Sequence, residues 1–428
     1  MRRAAAAVAL FVGLTAVAAC GPDDPDPAPA SAAPAPPSTS AAPDGTSSGT
    51  APAKNTEPRP DGTITVAFAG DVHFEGRTAP RLAVQPPEPA LGPISRTLAD
   101  ADLSVLNLET AITGRGAPEP KTYTFRTSPK ALSVLKDSGV DVVSMANNHA
   151  VDFGADGLTD TLAAKDSSPI PVVGVGRNAK EAYAPYVATV RGVKVAVVAA
   201  SQVEDITNQK WRAGANKPGI ASALDVPALV KAVETAKQQA PVVLVYLHWG
   251  DEGKACPTAA QTAIAKKLAT AGATAVVGTH AHTMVGSGML GSTYIGYGFG
   301  NFLWYGTSNY ANSNETGVTT LTLTGDGKVT GEVFTPATID DKGIPEPITG
   351  ATAEAALKRR DGLRGCTGLS PAPTAPGGAA PAASGASATA PSATTPSTTP
   401  SATGPSAVAP VKPNSATAKA STAPAVPR

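Results

Sequence analysis

The chain has 428 residues, with 34 basic and 34 acidic side chains and no formal net charge. That balance argues against a nucleic-acid binder, which carries a basic excess, and against an acidic solvating chain. Glycine (42) and proline (41) are both abundant and aromatics make up only 4%, so a folded core is being averaged with proline-rich flanks.

Residues 1–20 read as a targeting segment. Arg2 and Arg3 precede an apolar stretch, Ala4–Ala19, that is too short for a membrane span. Val17-Ala18-Ala19-Cys20-Gly21 resembles a lipoprotein lipobox, which would lipidate Cys20 and leave the mature chain on the outer side of the cell membrane. Ordinary cleavage near the alanines is the alternative, and both readings export the chain. Residues 21–61 contain no Ile, Leu, Val, Met or aromatic residue, so they are expected to be a disordered tether. Residues 62–366 are expected to form one domain. Residues 367–428 read as a Pro/Ala/Ser/Thr-rich disordered tail, either inert or threaded through a wall polymer. In an oxidising compartment Cys256 and Cys366 are expected to pair.

Within 62–366 short apolar runs alternate with helical stretches. The runs are Thr63–Ala69, Leu103–Leu108, Val140–Met145, Pro171–Val175, Val193–Ala199, Val242–Leu247 and Ala275–Val277. Helical stretches cover Lys130–Ser138, Val226–Gln239 and Thr258–Ala271. This rhythm predicts an α/β fold with at least partly parallel sheets. After Gly291 it changes to meandering strands, Ser292–Tyr297, Thr316–Thr324 and Lys328–Thr335, with a hairpin turn at Gly325-Asp326-Gly327.

All five histidines, His73, His149, His248, His280 and His282, follow apolar runs directly or nearly so. The carboxyl ends of strands are where open α/β sheets bind ligands. Asp71 and His73, two apart on an extended segment, are expected to point the same way. Glu109 ends the second run and Asn148-His149 follows the third. His248 ends the sixth, and His280-Ala281-His282 follows the seventh. Carboxylate, carboxamide and imidazole together suit Mn, Fe or Zn better than Ca or Mg.

The order Asp-x-His, acid, Asn-His, His, His-x-His resembles the binuclear metallophosphoesterase pattern. A closer resemblance lies in Lys121-Thr-Tyr-Thr-Phe-Arg126, Gly139–His149 with Asp152 and Gly154, Gly70-Asp71 with Gly76-Arg77, His248-Trp249-Gly250-Asp251-Glu252 and Gly298-Phe299-Gly300-Asn301-Phe302. These are similar to the CapA family of poly-γ-glutamate capsule synthesis proteins, over about residues 64–340. The resemblance implies a metallophosphatase-like four-layer α-β-β-α sandwich with mixed sheets. It implies two divalent transition metals, one on Asp71, His73 and His282 and one on Asn148, His248 and His280, with Glu109 as the bridge. His149 would be the general acid oriented by Asp152, and Arg77 would bind an anionic group. The two metals would activate water for hydrolysis and clamp the group being transferred.

Glu109 departs from the superfamily's usual aspartate by one methylene, which puts the bridge in question. For Trp249, substrate stacking and core packing both remain open, and for Glu252, a partner of the site and a solvated acid. Asn107 and Asn301 are expected to satisfy loop backbone groups. Three functions fit: a membrane-tethered hydrolase acting on an anionic polymer or phosphoester alongside capsule synthesis and export proteins, a non-catalytic polymer- or partner-binding assembly factor, or an extracellular phosphate scavenger.

Overall fold

The computed structural model describes residues 54, 56–86, 88–306 and 310–375. The expected leader with Cys20, the spacer as far as residue 53 and the tail beyond 375 lie outside the described residues. No helix among the described residues is long and apolar enough to cross a membrane.

Two mixed sheets carry the domain. One has eight strands, in the order Pro345–Pro347, Val329–Ile339, Glu315–Thr324, Thr63–Val72, Leu103–Leu108, Val142–Ser144 and Val172–Val173, with Asn301–Leu303 paired to the end of Thr63–Val72. The other has six: Met284–Leu290, Thr293–Phe299, Ala275–Thr279, Val242–His248, Val193–Ser201 and Tyr186–Val190. The strands read as apolar runs pair in parallel at the centre of each sheet, and the later strands close the edges antiparallel.

Alternation along the first strand explains the layering. Ile64, Val66 and Phe68 share one apolar cluster with Val195, Val197, Leu244, Tyr246, Val277 and Tyr294 of the second sheet. Ala67 and Ala69 face the other way, into a cluster with Leu98, Leu132, Leu135 and Leu158 from three helices. The second sheet's outer face packs on Leu229 and Val233 of Val226–Gln239 and on Ile264 and Leu268 of Ala259–Thr270. The layers are therefore helix, sheet, sheet, helix, and central strands buried on both faces need the continuous apolar runs seen in the sequence.

Local signals set the helix starts. Asp225 accepts from the Ala228 N–H at 3.1 Å, and buried positions 229, 232, 233 and 236 follow at helical spacing. Thr258 and Gln261 form a capping box ahead of Ala259–Thr270.

Three features depart from the sequence pattern. The run at 171–175 breaks at Gly174, whose φ of +84° turns the chain and whose missing side chain leaves room for Ala146. A helix, Gly350–Leu363, forms where no apolar periodicity announces it, because its buried positions are Ala356 and Arg360. The Arg360 guanidinium bonds Ser287 of the second sheet at 2.8 Å and Glu332 of the first. Finally, backbone pairing continues past Cys366, through Ser370 to Met289 and Thr374 to Glu332.

A disulfide joins Cys256 to Cys366 across 110 residues, with Cα atoms 5.8 Å apart. It ties the segment after His248 to the end of the last helix. Closing so long a loop removes entropy from the unfolded chain. Replacing both cysteines by serine is expected to lower stability by about 2–4 kcal/mol, read from urea unfolding midpoints. Reductant should shift the wild-type midpoint and leave that of the double variant where it is.

Candidate metal centre

The parallel strands of both sheets end on one side of the domain, and the chemistry gathers there. Asp71 lies on the first strand, level with Asn107 and Asn301 on its two neighbours. Gly70 makes this approach feasible, since a Cβ there would lie 2.1 Å from the Gly300 carbonyl oxygen. From the facing sheet, the Tyr246 hydroxyl donates to the Ala69 carbonyl at 2.5 Å. Val242–His248 ends in His248, and His280 and His282 follow Ala275–Thr279.

Ligand atoms of Glu109, His248 and His280 lie within 4.8 Å of one another, and so do those of Asp71, Glu109 and His282. Glu109 belongs to both groups, so with its extra methylene it could still reach both. Asn148 joins the first group, with its Oδ1 2.7 Å from His248 Nε2, while Glu109 Oε1 is 3.2 Å from the same nitrogen. His248 Nδ1 has the Thr279 hydroxyl at 3.0 Å and the Asn107 amide at 3.3 Å. Two oxygens, from Asn148 and Glu109, converge on Nε2 of the same ring, a mixed nitrogen and oxygen donor set that suits a cation.

Other atoms give the same answer. Both Glu109 carboxylate oxygens and His280 Nδ1 are buried with no hydrogen-bond partner. Orphaned groups of this kind are costly, and a bound metal would satisfy all three. The residues present therefore fit a divalent metal centre. Burial, reinforced by Glu109, pushes the Asp71 carboxyl up to about 6, and burial pushes Glu109 up to about 7. Burial likewise lowers His248 to about 4 and holds His280 well below its usual value, so both rings are neutral and ready to ligate.

Carboxamides set the orientations. Asn107 donates to Asp71 Oδ1 at 2.8 Å and accepts from Asn147 at 3.0 Å, and Asn147 also receives the His149 N–H at 3.0 Å. Asn301 donates to the carbonyls of His282 and Ser313, which leaves its Oδ1 to receive His282 Nδ1–H at 2.9 Å. His282 Nε2 is then the ligating atom. The sequence assigned Asn107 and Asn301 to loop backbone, but each also holds a ligand side chain. Their signal was their position at strand ends beside the acids. His280 and His282 take φ values of +89° and +52°, strained for residues with a Cβ and typical of functional turns.

His149 sits beside this group, its Nε2 4.0 Å from Glu109 Oε1. Its Nδ1 meets Asp152 Oδ2 at 2.6 Å, the pairing expected from the sequence. The Phe125 N–H and the Lys121 ammonium also bind Asp152, at 2.7 and 2.8 Å. Burial raises Asp152 to about 6 and lowers His149 well below its ordinary value.

Two residues expected in the site are placed differently. Arg77 lies exposed and donates to the Asp341 carbonyl at 2.9 Å. The ammonium near the centre is Lys121, inside a run the sequence flagged as a signature without giving it a role. His73 stands apart from the ligand groups. Its nitrogens face the backbone N–H groups of Glu75 and Tyr305 at 3.1 and 3.3 Å, and its ring stacks on Phe125. The two-residue alternation fails because the strand ends at Val72, after a register shift between Asp71 and Val72. Trp249 is fully buried, bonded to the Tyr297 carbonyl at 2.9 Å, and belongs to the core.

A buried, carboxamide-braced cluster of histidines and carboxylates between two mixed sheets defines a protein of mixed α/β architecture with residues fit to hold a metal. The chain belongs to the family described as bacterial capsule synthesis protein PGA_cap, which matches residues 65–305. It is 29% identical over 251 residues to the PGA biosynthesis protein CapA of Bacillus subtilis, covering 57% of this chain and 64% of that one. It is 30% identical over 230 residues to the capsule biosynthesis protein CapA of Bacillus anthracis, covering 52% and 53%. The chain thus spans between about half and just under two thirds of the length of these relatives. A 5′-nucleotidase precursor from Thermus thermophilus aligns in structure at TM-score 0.40 and 14% identity, over 70% of this chain and 58% of that one.

Two outcomes follow from the geometry. Metal ligation needs ionised carboxylates, while the metal-free protein holds Asp71 and Glu109 protonated below about 6 and 7. Affinity should therefore rise with pH through that window. Proton release on binding should fall by about two between about pH 5 and about pH 8, measured by calorimetry in buffers of different ionisation enthalpy. Asn301→Ala should weaken metal binding by about 10–100-fold through loss of His282 orientation, read from equilibrium titration.

Proposed function

We propose that this chain is an exported, lipid-anchored capsule-synthesis protein whose centre hydrolyses an anionic cell-surface polymer of the poly-γ-glutamate type, or a phosphoester. The observation that carries the reading is Glu109, a buried carboxylate with neither oxygen bonded, shared by two ligand groups. Asp71, Glu109 and His282 would hold one ion, and Asn148, Glu109, His248 and His280 the other. The mixed oxygen and nitrogen set favours Mn, Fe or Zn. When bound, such ions supply Lewis acidity and a nucleophile at neutral pH.

The chain's own residues supply the proton chemistry. Asp152 occupies His149 Nδ1, so Nε2 is the atom that exchanges a proton with the reacting group. The Asp152 charge stabilises the imidazolium, and Lys121 keeps that carboxylate in place. Phe125 stacks on His149 at 4.1 Å between ring centroids and screens that face from water. Family membership supports a setting among proteins that make and export a capsule polymer. The run Val17-Ala18-Ala19-Cys20 supports the membrane anchor.

His149→Ala should retain about two metals per chain by elemental mass spectrometry, while turnover of phosphoesters or γ-glutamyl polymers falls about 10²–10⁴-fold. Asp71→Ala combined with His282→Ala should lose both metal and turnover. A metal-loaded wild type that cleaves neither substrate class would replace hydrolysis with a polymer- or partner-binding role. Cys20→Ser should move the protein from the membrane fraction to the soluble exported fraction, followed by immunoblot.

A further inference from the structure

The segment that leaves His248 is built to return to the centre. Trp249 acts as a peg, fully buried against Tyr297 with its Nε1 on the Tyr297 carbonyl. Gly250 then turns the chain at φ +93°, where a Cβ would press on the Gln261 carboxamide at 2.7 Å. The Trp249 N–H bonds the Thr279 carbonyl at 3.1 Å, and the Gly253 N–H bonds the Ala281 carbonyl at 2.8 Å. These bonds clamp residues 249–253 alongside the turn that carries His280 and His282. Glu252 lies inside the clamp, and its carboxylate comes within 4.8 Å of the ligand atoms of both histidines. The Tyr310 hydroxyl donates to Glu252 Oε2 and restricts its rotation.

Two observations give this carboxylate a task. Among the described residues, His280 Nδ1 is buried without a hydrogen-bond partner. His73, which the sequence pattern offers as a ligand, is in none of the ligand groups and is packed on Phe125, Trp304 and Tyr305. Glu252 is exposed, so it approaches from the side open to substrate.

We infer that the Glu252 carboxylate is a metal ligand on the His280–His282 side of the centre. The inference rests on the metal reading above. As the solvent-side oxygen donor, Glu252 is the ligand that an incoming anionic group of the substrate displaces, while the buried ligands stay fixed.

The test compares full-length wild type, Glu252→Gln and His73→Leu, each stripped and titrated with Mn(II) by calorimetry, with bound Mn counted by paramagnetic resonance. Glu252→Gln should weaken one of two Mn sites at least about tenfold, the range of a lost site partner or more, and alter the bound-Mn spectrum. His73→Leu should leave both affinities within about twofold. Because Glu252 is exposed, its variant should match the wild type in metal-free thermal unfolding. Wild-type affinities in Glu252→Gln would overturn the inference and leave the metal centre standing, as would a loss confined to His73→Leu. A wild type that binds no Mn, Fe or Zn would overturn both.

Discussion

Two carboxylates buried without enough protons or donors around them set the terms for the rest of this structure. Asp71 and Glu109 are fully buried; Asp71 accepts from the Asn107 amide and the His280 N–H, while among the described residues neither Glu109 oxygen has a hydrogen-bond donor and its nearest ionisable neighbour is His248 at 3.2 Å. An isolated carboxylate out of water costs several kcal/mol and is tolerated only as the neutral acid or beside a cation. The lysine nearby is spoken for by Asp152 and Asp205, so it does not neutralise them directly. Neutral histidines at the strand ends complete a cavity whose atoms are nearly all lone-pair donors. Such a cavity is unfavourable when empty and favourable around divalent ions, and this difference is the physical content of the centre.

The fold maintains that tension by rigidity. Both sheets are buried on both faces, so the strand ends are held where they are. Gly70 lets its backbone approach that of Gly300 at a distance no side chain would permit. The chain of amides from Asn147 through Asn107 to Asp71 spans the first sheet, and the Tyr246 hydroxyl ties it to the second. Against this frame His280 and His282 can be kept in left-handed backbone conformations, and the strain is local because everything around it is fixed.

Most of the architecture was legible as a sequence, because strands buried on both faces must be continuous apolar runs and those runs appear from Thr63 to Val277. The histidines were legible for the same reason, as polar residues placed abruptly at the ends of such runs. Legibility failed where the governing contact is distant. His73 obeys the alternation of a strand only if the strand continues, and it stops at Val72. Arg77 carries a suitable charge in a suitable motif, yet its direction depends on a carbonyl 264 residues away. The helix Gly350–Leu363 is invisible to periodicity because the residue it buries most purposefully is an arginine, satisfied by partners on two different sheets. Lys121, Asn107 and Asn301 act through neighbours brought together only by folding.

The described residues at the two ends of the domain attach near the starts of the parallel strands, opposite the centre. Lys54 reaches Asp141 and Arg59 reaches Asp102, each just ahead of a strand of the first sheet, and Ser370 and Thr374 pair near the same ends of Met289 and Glu332. Whatever is joined to residue 54 or to residue 375 therefore begins at the blunt pole. The described residues at either end of the domain thus join it at the starts of the parallel strands, away from the strand ends that carry the histidines and carboxylates.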